Sequence, residues 1–326
     1  MKKITFNIAS GNSQGLTNDA IILTNVLTEL YGGNVNIRHF SGSDTKLTNI
    51  KKLLSLIINK YLFQQKQITF HLEEIYTEIS PFSNQNILIP NQEWLRTGTQ
   101  KAIKPETHIW CKTHYAVKQL KHLNDNVEYL GFCSRNLLDE SITPNFNAFI
   151  HIAGKSEQKG TIAILNVWQK HPEWPLLKVI SRREEHLEYQ AENIEFITEF
   201  LTECQLKSLI NQCGVHLCPS ESEGFGHNIV EAMSANSIVV TTNAPPMNEL
   251  IHPDEICLVN YNKTDKRYFS ELFFIDKSHF EVKITQLIAM KELDKINIFK
   301  QNQSKFDKLK VQFVKQLQSK LNNWNL

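Results

Sequence analysis

Along the chain, short apolar runs rich in Val, Ile and Phe alternate with longer stretches whose apolar positions recur every three to four residues. The first pattern predicts strands and the second helices. In the first half, strands are expected at KITFNIAS, NVNIRHF, QITFHLEEI, QNILIPN, THIWCKT and VEYLGF, with helices between them, notably Asn18 to Tyr31 and Ile50 to Leu62. Residues 134–147, SRNLLDESITPNFN, lose the periodicity and carry Pro144, which marks a linker. A second alternation follows, with strands at AFIHIAG, LLKVIS, NIEFIT, VHLCPS and SIVVTT, and helices at about Thr161 to Lys170, Thr202 to Gln212 and Asn228 to Ala235. From about Phe280 the chain reads as helix throughout.

Such alternation builds parallel sheets covered by helices, here in two units of similar size with a cleft between them. Ligands of parallel sheets sit at the carboxyl ends of the strands, where loops and helix N-termini offer unpaired backbone donors. Chemistry is therefore to be sought in the loops that follow strands.

Composition narrows the classes. The 326 residues, 41% hydrophobic, can bury a large core, and a net charge of +1 over the whole molecule argues for neither nucleic acid nor an anionic membrane. Charge is uneven locally: from Lys291 to Lys320 eight lysines face Glu292, Asp294 and Asp307. The opening MKKITFNIASGNSQG lacks the apolar core of a signal peptide, and no run approaches the roughly 18–20 apolar residues of a membrane span, so a cytoplasmic location is expected. The six cysteines, Cys111, Cys133, Cys204, Cys213, Cys218 and Cys257, form no CxxC pair, which suits reduced thiols. CGVHLC, 213–218, reads as a buried strand rather than a metal cluster, with Cys213 in the preceding turn.

Two loops carry chemistry. In PSESEGFGHNIVEAMS a strand ends, Glu223-Gly224-Phe225-Gly226 makes the turn, and a helix starts near His227 or Asn228. Glycines let backbone approach a ligand closely, and a helix N-terminus favours an anion such as diphosphate. Two acids beside a phosphate make sense if they address hydroxyls: Glu223 those of a sugar, and Glu231, about one turn inside the helix, a ribose diol. In IHIAGKSEQKGT, Lys155 and Lys159 flank a loop, and Gly160 and Thr161 open the next helix. Ammonium groups there can neutralise a diphosphate leaving group. No DxD-like acidic pair stands at a strand end to hold a metal.

GKSEQKGT, followed some sixty residues later by PSESEGFGHNIVEAMS and APPMNEL, resembles the donor half of retaining family-4 glycosyltransferases, the glycosyl transferases group 1 of GT-B fold. The resemblance is strong from about Ala148 to Leu250 and extends to GNSQGLTNDAIILTNVLTELYG, IPNQEWL and CKTHYA. It implies two Rossmann-like domains facing each other across a cleft: an acceptor-binding domain at 1–140, a nucleotide-sugar-binding domain at 147–300, and a helix at 301–326 packing back on the first. It implies transfer of a sugar from a nucleotide-diphosphate sugar to an acceptor hydroxyl with retention, without a metal or other cofactor. By the same resemblance Lys155, Lys159 and Gly160 bind the diphosphate and Glu223 contacts the sugar. Gly224, Phe225, Gly226, His227 and Asn228 line the donor, Glu231 holds the ribose, Ile197 lies near the base, and Gly15 belongs to the N-terminal loop beside the donor. The catalytic set is Glu223, Lys159 and Lys155. The sequence departs from the family where a lysine, Lys155, stands for the usual arginine, and where SGNSQG lacks the usual adjacent glycine pair.

In the first half, Glu93 of NQEW and Lys112 of CKTHYA follow strands and are the acceptor candidates, with His114 behind them; Glu73 reads as a polar loop residue. KKLLSLIINKYLF, 51–63, is a basic amphipathic stretch that either covers a sheet or touches a membrane and presents a lipid-linked acceptor. Expected partners are a nucleotide sugar and a glycan, lipid-linked or protein acceptor, with no nucleic acid. Peripheral attachment at the inner face of a membrane is the alternative to a purely cytoplasmic location. The rival functions are a nucleotide-sugar epimerase or hydrolase on the same fold, and a non-catalytic sugar-nucleotide-binding module. A dehydrogenase is disfavoured because the first loop lacks GxGxxG.

Overall fold

The computed structural model describes residues 4–42, 44–253 and 255–324, and divides into two compact units. The first comprises residues 4–132, 268–270 and 311–324; the second comprises 133–267 and 271–310.

In the first unit, the chain runs through β1 (Ile4–Ser10), α1 (Gln14–Tyr31), β2 (Val35–Ser41), α2 (Lys46–Tyr61), β3 (Gln67–Leu72), β4 (Gln85–Ile89), α3 (Thr97–Ala102), β5 (His108–Cys111), α4 (His114–Leu120) and β6 (Val127–Tyr129). The six strands form one parallel sheet in the order β2-β1-β3-β4-β5-β6. Phe6, Ile8, Phe70, Leu72, Ile87 and Ile109 are fully buried, as expected of strands covered by helices on both faces. Two helices start about four residues earlier than their periodicity suggests. Ser13 and Thr45 cap them, each side-chain oxygen accepting from a backbone N–H three residues on.

The second unit contains β7 (Asn145–Gly154), α5 (Thr161–Trp168), β8 (Leu177–Ser181), β9 (Ile194–Ile197), α6 (Glu203–Gln212), β10 (Cys213–Cys218), α7 (His227–Ser234), β11 (Ile238–Thr242), α8 (Met247–Leu250) and β12 (Leu258–Val259). Its sheet is also parallel, ordered β12-β11-β10-β7-β8-β9. Cys213 is the first residue of β10, pairing with Asn145 ahead of a bulge, and not part of the preceding turn. His216 is buried and bonds the Ile210 carbonyl at 3.0 Å, and burial holds its pKa down at about 4. It is a structural histidine of a buried strand.

Two features depart from the sequence pattern. A hairpin of β13 (Tyr261–Arg267) and β14 (Ser270–Ile275) occupies a stretch that carried no predicted element. The face of β13 is exposed almost throughout, so it has no apolar alternation to read. The C-terminal helix is also broken, into α9 (Lys277–Ala289) and α10 (Glu292–Asn322), where Met290 takes extended backbone angles. Within the first unit, Phe313 packs on Phe132 at 4.7 Å between ring centroids, Lys320 pairs with Glu128 at 3.0 Å, and Trp324 stacks on Trp110 at 5.4 Å.

Candidate active site

In the second sheet the chain leaves β7 in one direction, to β8 and β9, and returns to place β10 on its other side. The loops after β7 and β10 thus flank the switch point where ligands of open parallel sheets bind. They hold Lys155 and Lys159 on one side and Glu223 on the other, so strand order brings together segments some sixty residues apart.

The two loops are locked to each other. Glu221 N–H donates to the Gln158 carbonyl at 2.9 Å. Gly160, the N-cap of α5, has φ +66°, and a Cβ there would lie 2.3 Å from the Pro219 carbonyl oxygen. Gly226, the N-cap of α7, has φ +105°, and its Cβ would lie 2.7 Å from Leu250 Cδ1. Both positions require glycine for conformation, and Gly160 also for space, because its neighbour is backbone. Beneath the loops, buried His151 bonds the Leu217 carbonyl at 2.7 Å and Thr161 Oγ1 at 2.9 Å, joining β7, β10 and the first turn of α5. Burial lowers its pKa to about 4, so it serves as a neutral tie.

Lys159 is the centre of the polar arrangement. Its ammonium donates to Glu223 Oε1 and, at 3.3 Å, to Asn228 Oδ1; Ser220 Oγ donates to the same Glu223 oxygen at 2.6 Å. The side chains of Lys159 and Glu223 are 17% and 12% exposed, enough for a ligand to reach them. Phe225 is buried and meets the His227 ring edge-on at 5.4 Å, while His227 Nδ1 lies 2.5 Å from Ser134 Oγ. Lys155 is exposed, and its carbonyl accepts from Arg183, which also binds Glu157 and Glu185. Glu221 is the most perturbed acid of the loop: burial, reinforced by Glu157, raises its pKa to about 7.

Glu231 receives Arg135 Nε at 3.0 Å on Oε1, and the same guanidinium reaches Glu203 at 2.8 Å. Arg135 lies in the aperiodic stretch 134–147, where no periodicity or spacing signals a site residue. Ile197 ends β9, but its side chain packs in a core cluster with Ile150, Ile180 and Cys213, leaving only its backbone to meet a ligand.

In the first unit the sheet changes direction between β1 and β3. Gly15 lies there in the first turn of α1, not in the preceding loop, because Ser13 already caps the helix. Glu73, immediately after β3, also lies there. It holds φ +70°, uncommon outside glycine, and accepts from Asn91 Nδ2 at 2.9 Å; burial raises its pKa. Glu93 and Lys112 follow β4 and β5, away from the switch point. Lys112 is 2% exposed, donates to Asp19 and to Asn91 Oδ1 at 2.9 Å, and lies over the Phe132 ring. Glu93 is buried in a short 3-10 turn, and His114 stacks on Tyr129 at 3.9 Å. Among the described residues, no three His, Cys, Asp or Glu side chains come together in a metal-holding group.

Residues 145–271 match the family Glycosyl transferases group 1. The group 1 segment contains Lys155, Lys159, Gly160, Glu223, Gly226 and Glu231, and leaves Arg135 and most of the first unit outside it. Solved structures resemble the chain over nearly its full length. A glycosyltransferase from Rickettsia africae ESF-5 aligns with a TM-score of 0.67 at 13% identity, covering 98% of each chain. Sucrose-phosphate synthase from Thermosynechococcus elongatus gives 0.70 at 12%, covering 98% of this chain and 99% of that one. The UDP-forming alpha,alpha-trehalose-phosphate synthase from Burkholderia vietnamiensis gives 0.62 at 9%, covering 97% and 99%. At these identities the likeness shows the fold: two Rossmann-like halves of the GT-B class. No curated protein matches the sequence.

Proposed function

We propose that the protein transfers a glycosyl group from a nucleotide-diphosphate sugar to an acceptor hydroxyl, with retention of configuration and without a metal. The observation that carries this reading is the Lys159–Glu223 pair, set between the loops after β7 and β10 at the N-terminus of α7. A bound diphosphate draws Lys159 away from Glu223, so one ligand gives the ammonium an anion and frees the carboxylate for sugar hydroxyls. Lys155, Lys159 and the amides opening α5 and α7 then stabilise charge as the diphosphate departs, the role a divalent cation would otherwise fill. The bond from the anomeric carbon to the diphosphate breaks on the face where the acceptor oxygen bonds. The acceptor proton passes to the departing phosphate oxygen.

Glu231 serves the ribose diol, and Arg135 orients that carboxylate until the nucleotide arrives. Glu73 joins Glu93, Lys112 and His114 as an acceptor candidate, and its place at the switch point sets it ahead of the others. Expected partners are a nucleotide sugar and a hydroxyl acceptor on a glycan, lipid or protein, and the expected location is the cytoplasm. Epimerase, hydrolase and purely binding functions are the rivals.

The test is thermal melting with UDP, GDP, ADP and their sugars, UDP first because one fold neighbour forms it. A ligand at a hundred times its dissociation constant adds about 2.7 kcal/mol of stability. One nucleotide should raise the melting temperature by several degrees in the native protein and not in Glu231→Ala. Acceptor-dependent release of that nucleotide diphosphate then separates transfer from epimerisation and hydrolysis. A flat panel would overturn the donor site.

A further inference from the structure

Helix α2 is apolar on both sides. Leu53 and Leu56 face the sheet, with Leu56 fully buried in a cluster with Ala9, Phe40 and Ile79. On the opposite side Leu47, Ile50, Leu54, Ile58 and Tyr61 are 45–67% exposed, and their spacing of three to four residues sets them on one face. Leu62 and Phe63 continue the stripe at 72% and 55% exposure. Of seventeen large hydrophobic residues exposed among those described, these seven fall within seventeen consecutive positions. A helix that merely covers a sheet turns polar residues outward, so this face is built for another medium.

Its charge identifies the medium. Residues 44–66 contain five lysines and one acid, Asp44, which pairs with Lys52 at 2.6 Å. Lys51 sits exposed within the apolar face, and Lys60 lies over the Tyr61 ring at 5.8 Å. Beside the helix opens an apolar cavity of about 250 Å³, lined by Phe40, Ile50, Leu53, Tyr76 and Ile79, with Glu78 its single charged residue. A second copy of the chain is a poor occupant, since a two-fold interface would bring Lys51 toward its own counterpart. At about 24 Å the helix is too short to cross a hydrocarbon core of about 30 Å, and among the described residues no helix is apolar enough to do so.

We infer that α2 is an interfacial helix that lays its outer face into an anionic lipid surface. Leu47, Ile50, Leu54, Ile58 and Tyr61 enter the headgroup boundary, and Lys51 extends its ammonium back to the lipid phosphates. The inference stands on this helix alone and not on the sugar-transfer reading. It places any acceptor chemistry within reach of a membrane.

Co-flotation of the full chain with phosphatidylcholine vesicles, with and without phosphatidylglycerol, tests it. Binding is expected to the anionic vesicles and to weaken with salt. Lys51→Gln should lower partitioning about fivefold and Lys51→Glu about thirtyfold. Leu54→Ser and Ile58→Ser should each lower it about tenfold or more. These side chains are exposed, so unchanged melting temperatures confirm that the variants remain folded. No flotation, or flotation indifferent to Leu54→Ser and Lys51→Glu, overturns the inference. So does sedimentation as a dimer that Leu54→Ser dissociates, which would give the face to a second copy.

Discussion

Replacing Gly160 with alanine puts the geometry of the candidate site under direct strain. Gly160 holds φ +66°, and left-handed backbone costs a residue with a Cβ about 1–2 kcal/mol. The new methyl would also lie 2.3 Å from the Pro219 carbonyl oxygen, backbone of the loop that carries Glu223. Relieving such a clash by moving packed backbone costs about 1–3 kcal/mol. The sum, about 2–5 kcal/mol, corresponds to a drop of roughly 5–20 °C in the melting transition of a unit of this size. Gly15→Ala is the control: nothing lies within 4 Å of its Cβ and it sits in helix α1, so its melting temperature should hold or rise by a degree or two. Circular dichroism melts without ligand compare the two. A Gly160→Ala transition within about 1 °C of the native one would refute the reasoning, because the loops after β7 and β10 could not then be held as tightly as described.

Glu221 should make stability pH-dependent. Its pKa rises from 4.5 to about 7, so the folded state binds its proton more tightly than the unfolded chain does; this stabilisation is complete below about pH 4.5 and is lost as pH rises through 7. Urea midpoints should therefore show Glu221→Gln more stable than the native chain at about pH 8, the gap closing near pH 4.5; a gap independent of pH contradicts the assignment. Lys112→Met takes the ammonium from buried Asp19 and should destabilise by about 3–5 kcal/mol, with Asp19→Leu in the same chain restoring much of the loss. A Lys112→Met protein that melts normally but binds acceptor poorly would instead make Lys112 an acceptor contact.

The alternation of apolar runs with helical periodicity was enough to expect two parallel α/β units, and Glu223, Gly226 and Glu231 stood out because turn glycines and paired acids occupy one short stretch. Local pattern carries such features because strand and helix periods, turns and caps are set within a few residues. Elements without a pattern were missed. The hairpin after β12 exposes nearly every residue of β13, and the break at Met290 interrupts a run of good helix formers.

The remainder depended on contacts between distant segments. Strand order sets β10 beside β7 and so brings Lys159 to Glu223 and Gly160 against Pro219. Arg135 reaches Glu231 across ninety-six positions, a pairing that no spacing signals. Glu73 looked like any loop acid until the order of the first sheet set it at a change of direction, whereas Lys112, which looked available, proved to be bound to Asp19. For α2 the sequence showed a basic amphipathic helix that could cover a sheet or meet a membrane. Only the packing of Leu56 into the core determined which side stayed exposed, because periodicity defines a helix face without saying what covers it.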